Sequence, residues 1–255
     1  MAALELLVLA SAVAFVGVGA GVGVKLLALA RRTRGFPELV VGFSLLVLAG
    51  VAWPLMLVAR APVPPAALRT AYVGASLTMA LGWAGVFLFT WRVFRPDAGW
   101  ARALAGAGIA VVLAAGLAGA IRALTLPDAT ALRKPALPGV VLLLSAQAVY
   151  AWTALESFRY RTLLRRRIPL GLADPLVADR FGLWGWTGLC GAGSILPATW
   201  ASLTGGDPGS QLSHLVVGVC GLLSSGVLYL AFLPPAAYVR FVRENAPAAA
   251  SGGGP

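Results

Sequence analysis

The sequence predicts an all-α integral membrane protein: a bundle of seven transmembrane helices with the N-terminus outside and the C-terminus in the cytoplasm. Three observations support this prediction. The 255 residues are 59% hydrophobic and only 11% charged, whereas soluble domains are about 25% charged. The mean hydropathy is +0.86, and apolar runs of about 20 residues, the length that spans a bilayer, recur seven times. Lys and Arg are concentrated in alternate connections between these runs.

The seven apolar runs form one predicted domain, residues 1–245, which is followed by a Gly-rich tail at 246–255 that we expect to be flexible. Most connections between the runs carry Pro or Gly, which end helices. The first run is long enough to span and lacks a positively charged leader, so it is interpreted as a retained span. The predicted spans are about 6–27, 38–58, 70–90, 101–123, 139–158, 183–203 and 215–233.

The orientation is predicted from the Lys and Arg residues, which favour cytoplasmic loops. Fifteen of the 20 lie in the odd-numbered connections and the C-terminal segment, and five lie on the other side. The longest cytoplasmic connection, 159–182, contains Arg165, Arg166 and Arg167, which suit anionic lipid headgroups or a partner protein. We expect Asp174 to cap a short interfacial helix beginning at Pro175. Asp179 completes the candidate partner or headgroup surface.

The composition excludes several functional classes. Buried ionisable groups mark proton and ion pathways, and the predicted spans carry such residues only near their ends. The two cysteines, Cys190 and Cys220, are isolated and suit neither a disulfide framework nor a metal site. We therefore predict no metal, no cofactor and no enzymatic activity. The net charge of +11 is assigned to lipid headgroups rather than nucleic acid, since no basic, non-apolar module is present.

A seven-helix bundle with an external N-terminus also describes the rhodopsins, so their decisive residue was sought. Retinal proteins hold the chromophore through a lysine midway along the last helix. The lysines of this chain are Lys25 and Lys134, and neither lies in the last span. The sequence therefore argues against bound retinal.

Polar and aromatic residues recur at helical spacing within the spans and define faces that we expect to point into the bundle. Two interpretations stay open. Small and hydroxyl residues can serve close helix packing, or they can line a cavity for a small, largely uncharged ligand. Gln147 favours the cavity, since packing alone does not require a primary amide. The candidate lining residues are Trp53, Tyr72, Ser76, Trp83, Gln147, Tyr150, Ser194, Pro197 and Ser225.

Two prolines inside predicted spans, Pro54 and Pro197, are expected to kink their helices and are candidate gating residues. The leading hypothesis is a sensory or partner-binding membrane protein, which would bind a small neutral ligand or a lipid. The alternative is a facilitative carrier of a neutral solute. It would have the three-plus-one-plus-three arrangement of SWEET and PQ-loop carriers, although the Pro-Gln dipeptide of the latter is absent. The Ala-, Gly- and Arg-rich composition suggests a bacterial cytoplasmic membrane.

Overall fold

The computed structural model describes residues 2–206 and 210–245, and within them every regular element is helical. The predicted tail, 246–255, lies outside the described residues. Eight helices follow one another, joined by short connections that include two 3₁₀ turns, Ala129–Arg133 and Ile168–Leu170. In chain order the helices are α1 (Ala2–Thr33), α2 (Phe36–Arg60), α3 (Pro65–Phe94), α4 (Gly99–Thr125), α5 (Leu137–Arg167), α6 (Pro175–Thr204), α7 (Gln211–Phe232) and α8 (Ala236–Glu244).

Six of these helices, α1 to α5 and α7, are long and apolar enough to cross a membrane. Large apolar side chains such as Leu6, Val13 and Leu124 are more than 60% exposed on the bundle surface. A soluble monomer rarely exposes extensive apolar surface, so lipid is the expected surrounding. The chain is therefore a multi-pass membrane protein.

Helix α6 covers the sixth predicted span but is less apolar than the six helices named above, so the count of seven spans stays a prediction. Its 30 residues include five glycines and three tryptophans, residue types that add little hydropathy although both are common in membrane helices. It packs between α5 and α7. Its backbone is one continuous helix that begins at Pro175, so the prediction of a separate interfacial helix at that position is wrong.

Six helices form a closed ring, in which each of α1, α2, α3, α5, α6 and α7 contacts the next and α7 returns to α1. Helix α4 lies outside the ring and packs on α3 and α5. We call the end of the bundle where α1 begins the N-end, and the opposite end, where α7 ends, the C-end. Close packing depends on small residues: a Cβ atom on Gly116 of α4 would lie 2.5 Å from the Ala80 Cβ of α3.

The expected kink at Pro54 takes the form of a π-helical segment, Leu46–Ala52, within α2. The Trp53 amide donates to the Leu48 carbonyl, five residues earlier. A proline ring clashes with the carbonyl four residues before it, and a widened turn relieves that clash. Such segments are frequent at functional sites. Pro197 lies inside α6, which continues past it to Thr204.

Candidate functional site

The ring of helices encloses a central cavity of about 590 Å³. Its lining comes from all six ring helices, and α4 contributes no residue to it. Ligand sites for small molecules typically measure about 300–1,000 Å³ and are mostly apolar with a few polar groups. The cavity therefore has the size and the surroundings of a small-molecule site.

Within the described residues, the Asp, Glu, Lys, Arg and His side chains that line the cavity all lie at its N-end. Glu5 of α1, Arg60 of α2 and His214 of α7 lie there. Glu5 and Arg60 are exposed, so the cavity reaches the protein surface between the ends of these helices. A molecule entering from this end would pass polar groups before it meets the apolar interior.

An aromatic pair lies midway along the cavity. The Trp83 indole N–H of α3 donates to the Tyr150 hydroxyl oxygen of α5 over 3.4 Å, a long hydrogen bond. Opposite them, Trp53 of α2 packs edge-on against Phe15 of α1, with ring centroids 5.9 Å apart. These rings offer large apolar surfaces with polar edges, a combination that suits ligand contact.

Toward the C-end the cavity is closed by aromatic rings. Phe89 and Trp184 line its floor and pack edge-on at 5.8 Å, and Trp184 also packs perpendicular to Phe232 at 5.4 Å. Phe89 contacts Phe94, which in turn contacts Tyr160 and Phe181. We call this set the aromatic floor: Phe89, Phe94, Tyr160, Phe181, Trp184 and Phe232.

Polar links join the helices at the C-end of the cavity. Arg95 at the end of α3 forms an ion pair with Glu156 of α5, with Nε and Oε1 2.8 Å apart. Asp179 of α6 accepts a 2.5 Å hydrogen bond from the Tyr238 hydroxyl of α8 and lies 3.7 Å from Arg161 of α5. These links and the aromatic floor close the C-end.

Five of the candidate residues line the cavity, and four do not. Trp53, Trp83, Tyr150, Ser194 and Pro197 are part of the lining. The structure places the other four candidates, Tyr72, Ser76, Gln147 and Ser225, at contacts between helices.

Each of the four has a packing environment. The Gln147 side-chain amide donates to the Thr199 hydroxyl of α6 over 3.5 Å, so this amide has a role between α5 and α6. Ser76 faces Gly119 and Gly116 of α4, while Tyr72 packs in an apolar cluster of α2, α3 and the connection after α4. Ser225 is 2% exposed and donates to a carbonyl of its own helix.

Sequence reasoning missed the lining face of α1, the charged N-end and the aromatic floor. On α7, the lining residues follow the spacing of one helix face, His214, Val217, Gly221, Ser224 and Leu228. The sequence placed Ser225 on the inward face of α7, whereas in the structure its neighbour Ser224 lines the cavity. The two were not separated because adjacent stripes of small residues fit the same helical period. The floor had a signal in the sequence: aromatic residues cluster where α3, α5 and α6 meet the connections at the C-end.

The candidate partner surface divides into two parts. Arg165, Arg166 and Arg167 are exposed on the last turn of α5, where a partner or headgroup could reach them. Asp174 caps α6, since its Oδ1 accepts a 2.8 Å hydrogen bond from the Leu176 amide. Asp179 is half-buried and accepts the hydrogen bond from Tyr238.

The chain matches no protein-family model, no curated protein and no solved structure at a significant level. The function is therefore argued from the cavity and the charges around it.

Proposed function

We propose that this chain is a seven-span membrane protein whose ring cavity binds a small, largely uncharged molecule, and that binding is signalled to the cytoplasmic side. The observation that carries the proposal is the cavity itself, which is apolar along its length and polar at one mouth. Protein interiors pack to the density of organic crystals, and a ligand that fits this volume would supply such packing contacts to the cavity lining.

The proposed orientation is argued from the charges at the two ends of the bundle. The C-end carries the basic ends of α1, α3 and α5 together with α8, whereas the N-end carries five basic residues. By the preference of Lys and Arg for the cytoplasm, the C-end is cytoplasmic and the cavity mouth faces outside. A ligand would then enter from the exterior or from the outer leaflet of a bacterial cytoplasmic membrane.

The aromatic floor offers a route for the signal. A ligand that touches Phe89 or Trp184 also bears on the rings behind them, because Phe94 and Phe181 belong to the same packed set. Phe181 precedes the cavity-lining part of α6 and follows Asp179. A shift of α6 would therefore reach α8 and the exposed arginines that end α5, where a partner would read it.

Photolabelling with benzophenone in lipid nanodiscs tests the cavity. The only methionines of α2 and α3, Met56 and Met79, both line it, and their C–H bonds beside sulfur react readily with the excited carbonyl. We expect labelling at both. Ala198→Phe, which places a ring in the cavity, should reduce it at least fivefold, whereas Ala114→Phe on the exposed face of α4 should not. Equal labelling in all three proteins would contradict the proposal.

One observation favours the facilitative carrier as a second candidate. The ring consists of two consecutive triplets, α1–α3 and α5–α7, and α4 lies outside it as a connector. The cavity lies between the triplets, and Trp53 and Pro197 line it from the middle helix of each. This arrangement is compatible with parallel repeats, in which one triplet moves against the other.

The two candidates differ in whether the C-end opens. A carrier must release its solute there, so Pro54→Ala or Pro197→Ala should change flux into proteoliposomes while the fold is retained. A sensor should move no solute, and reversal of Arg165, Arg166 and Arg167 to Glu should abolish its response while benzophenone labelling persists. A protease-accessibility assay controls for inversion of the topology by that reversal.

A further inference from the structure

Five of the six lining Ser and Thr hydroxyls have already committed their protons. Each donates to a backbone carbonyl, in four cases of its own helix and in one case of the neighbouring helix, so their remaining capacity is as acceptors. The bonds are Ser11 to Val8 (2.7 Å), Thr153 to Val149 (2.7 Å), Thr187 to Leu183 (3.1 Å), Ser194 to Gly191 (2.8 Å) and Ser224 to Thr187 (3.3 Å). Ser44 differs, because its hydroxyl is buried beside Gly85 of α3 and has no hydrogen-bond partner among the described residues.

Tyr150 is the exception among the hydroxyls that face the cavity. Its oxygen accepts from Trp83, and its proton is donated to no group in the described part of the chain. Toward the C-end, the Trp184 indole N–H also lines the cavity and is a buried donor without an acceptor among the described residues. A buried donor without an acceptor costs about 1–3 kcal/mol, so the middle and the floor of the cavity favour a molecule that brings an acceptor.

We propose that the ligand is a neutral, mainly apolar molecule with a carbonyl or ether oxygen that accepts a hydrogen bond from the Tyr150 hydroxyl. This inference rests on the proposed cavity function and specifies its ligand class. Charge on the ligand is disfavoured because, among the described residues, no acidic or basic side chain lines the cavity beyond its N-end, and an unpaired charge in an apolar site is costly. The oxygen lies midway along the molecule or at its leading end, and the rest packs on Trp83, Phe89 and Trp184.

The test compares two probes of nearly the same shape, benzophenone and diphenylmethane, which differ by a carbonyl in place of a methylene. Their affinities are measured in nanodiscs by isothermal titration calorimetry, and comparing the ratio of the two affinities between proteins cancels the difference in lipid partitioning. The ratio should favour benzophenone about 2- to 10-fold more in wild type than in Tyr150→Phe, the range for one neutral hydrogen bond. Tyr229→Phe, a matched substitution on the exposed side of α7 outside the cavity lining, should keep the wild-type ratio.

The outcomes separate this inference from the cavity proposal. If Ala198→Phe blocks the binding of both probes, but the ratio of their affinities is the same in wild type and in Tyr150→Phe, the ligand class is wrong and the cavity stands. If Ala198→Phe leaves the binding of both probes unchanged, the cavity proposal fails and this inference fails with it. Tyr150→Phe is first shown to keep the wild-type thermal transition, since it also removes the acceptor of the Trp83 N–H.

Discussion

Helix α4 can be loosened without damage to the cavity, and a pair of glycine substitutions tests this. A Cβ on Gly116 would lie 2.5 Å from the Ala80 Cβ and 2.9 Å from the Ser76 carbonyl oxygen of α3. Neither atom belongs to a flexible side chain, so α4 must move away from α3. Gly106 lies on the same helix and has nothing within 4 Å of its Cβ position, which makes Gly106→Ala a matched control.

The magnitude follows from comparing the two variants. Gly→Ala within a helix gains up to about 1 kcal/mol of propensity, and this gain is common to both. The difference is therefore the overpacking cost at Gly116, about 1–3 kcal/mol. The free energy of unfolding, measured by reversible SDS titration in mixed micelles, should be lower for Gly116→Ala than for Gly106→Ala by that amount.

The variants Gly116→Ala and Gly106→Ala also test whether α4 lies outside the ring. Because α4 contributes no residue to the cavity, benzophenone labelling of Met56 and Met79 should be unchanged in Gly116→Ala. Equal stability of the two variants would refute the close α3–α4 contact. Lost labelling in a folded Gly116→Ala protein would refute the six-helix ring.

Three further predictions concern the C-end. Glu156→Ala leaves Arg95 without its partner, and since the two side chains are only 11% and 25% exposed, it should destabilise the protein by about 3 kcal/mol in SDS titration. Partial burial, followed by the hydrogen bond to Asp179, raises the pKa of Tyr238 to about 12, above the usual value of about 10. Its stabilisation should therefore be complete below pH 10 and be lost between about pH 10 and 12, a loss that Tyr238→Phe should not show. Asp174→Ala should cost about 1 kcal/mol by removing the α6 cap, as measured by thermal unfolding.

Each of these has an outcome that contradicts it. A double variant, Arg95→Ala with Glu156→Ala, should recover part of the loss of Glu156→Ala, and strict additivity would mean that the pair does not interact. Parallel pH profiles for wild type and Tyr238→Phe would remove Tyr238 from the linkage. Asp174→Asn should retain most of the cap, so a loss as large as that of Asp174→Ala would point to charge rather than capping.

The sequence predicted the membrane class and the helices well, because span length and hydropathy are local properties. It also placed the Asp174 cap, which depends on a few adjacent residues. It could not decide which residues face the cavity, because one residue turns a helix by 100°. It also could not show where α4 packs along α3: Ser76 and Trp83 are seven residues apart and share a helix face, yet Trp83 lines the cavity and Ser76 packs against Gly116 and Gly119 of α4.

The sequence also could not predict contacts between residues that are far apart along the chain. Gln147 was assigned to a ligand because no local feature required it, and its partner, Thr199, lies 52 residues further along the chain. The exclusion of α4 from the ring and the closure of α7 on α1 are likewise set by three-dimensional packing. Glycines such as Gly116 allow another helix to approach closely, but the sequence does not identify that helix.

The central claim is that the ring cavity holds a neutral small molecule. The most direct measurement is native mass spectrometry of the protein released from nanodiscs made with its own membrane lipids, for wild type and Ala198→Phe. The account predicts a bound species of low mass on wild type, absent from Ala198→Phe and retained by Ala114→Phe. The account would be contradicted if wild-type protein were detected without any bound species although a lipid-embedded structure showed the same cavity.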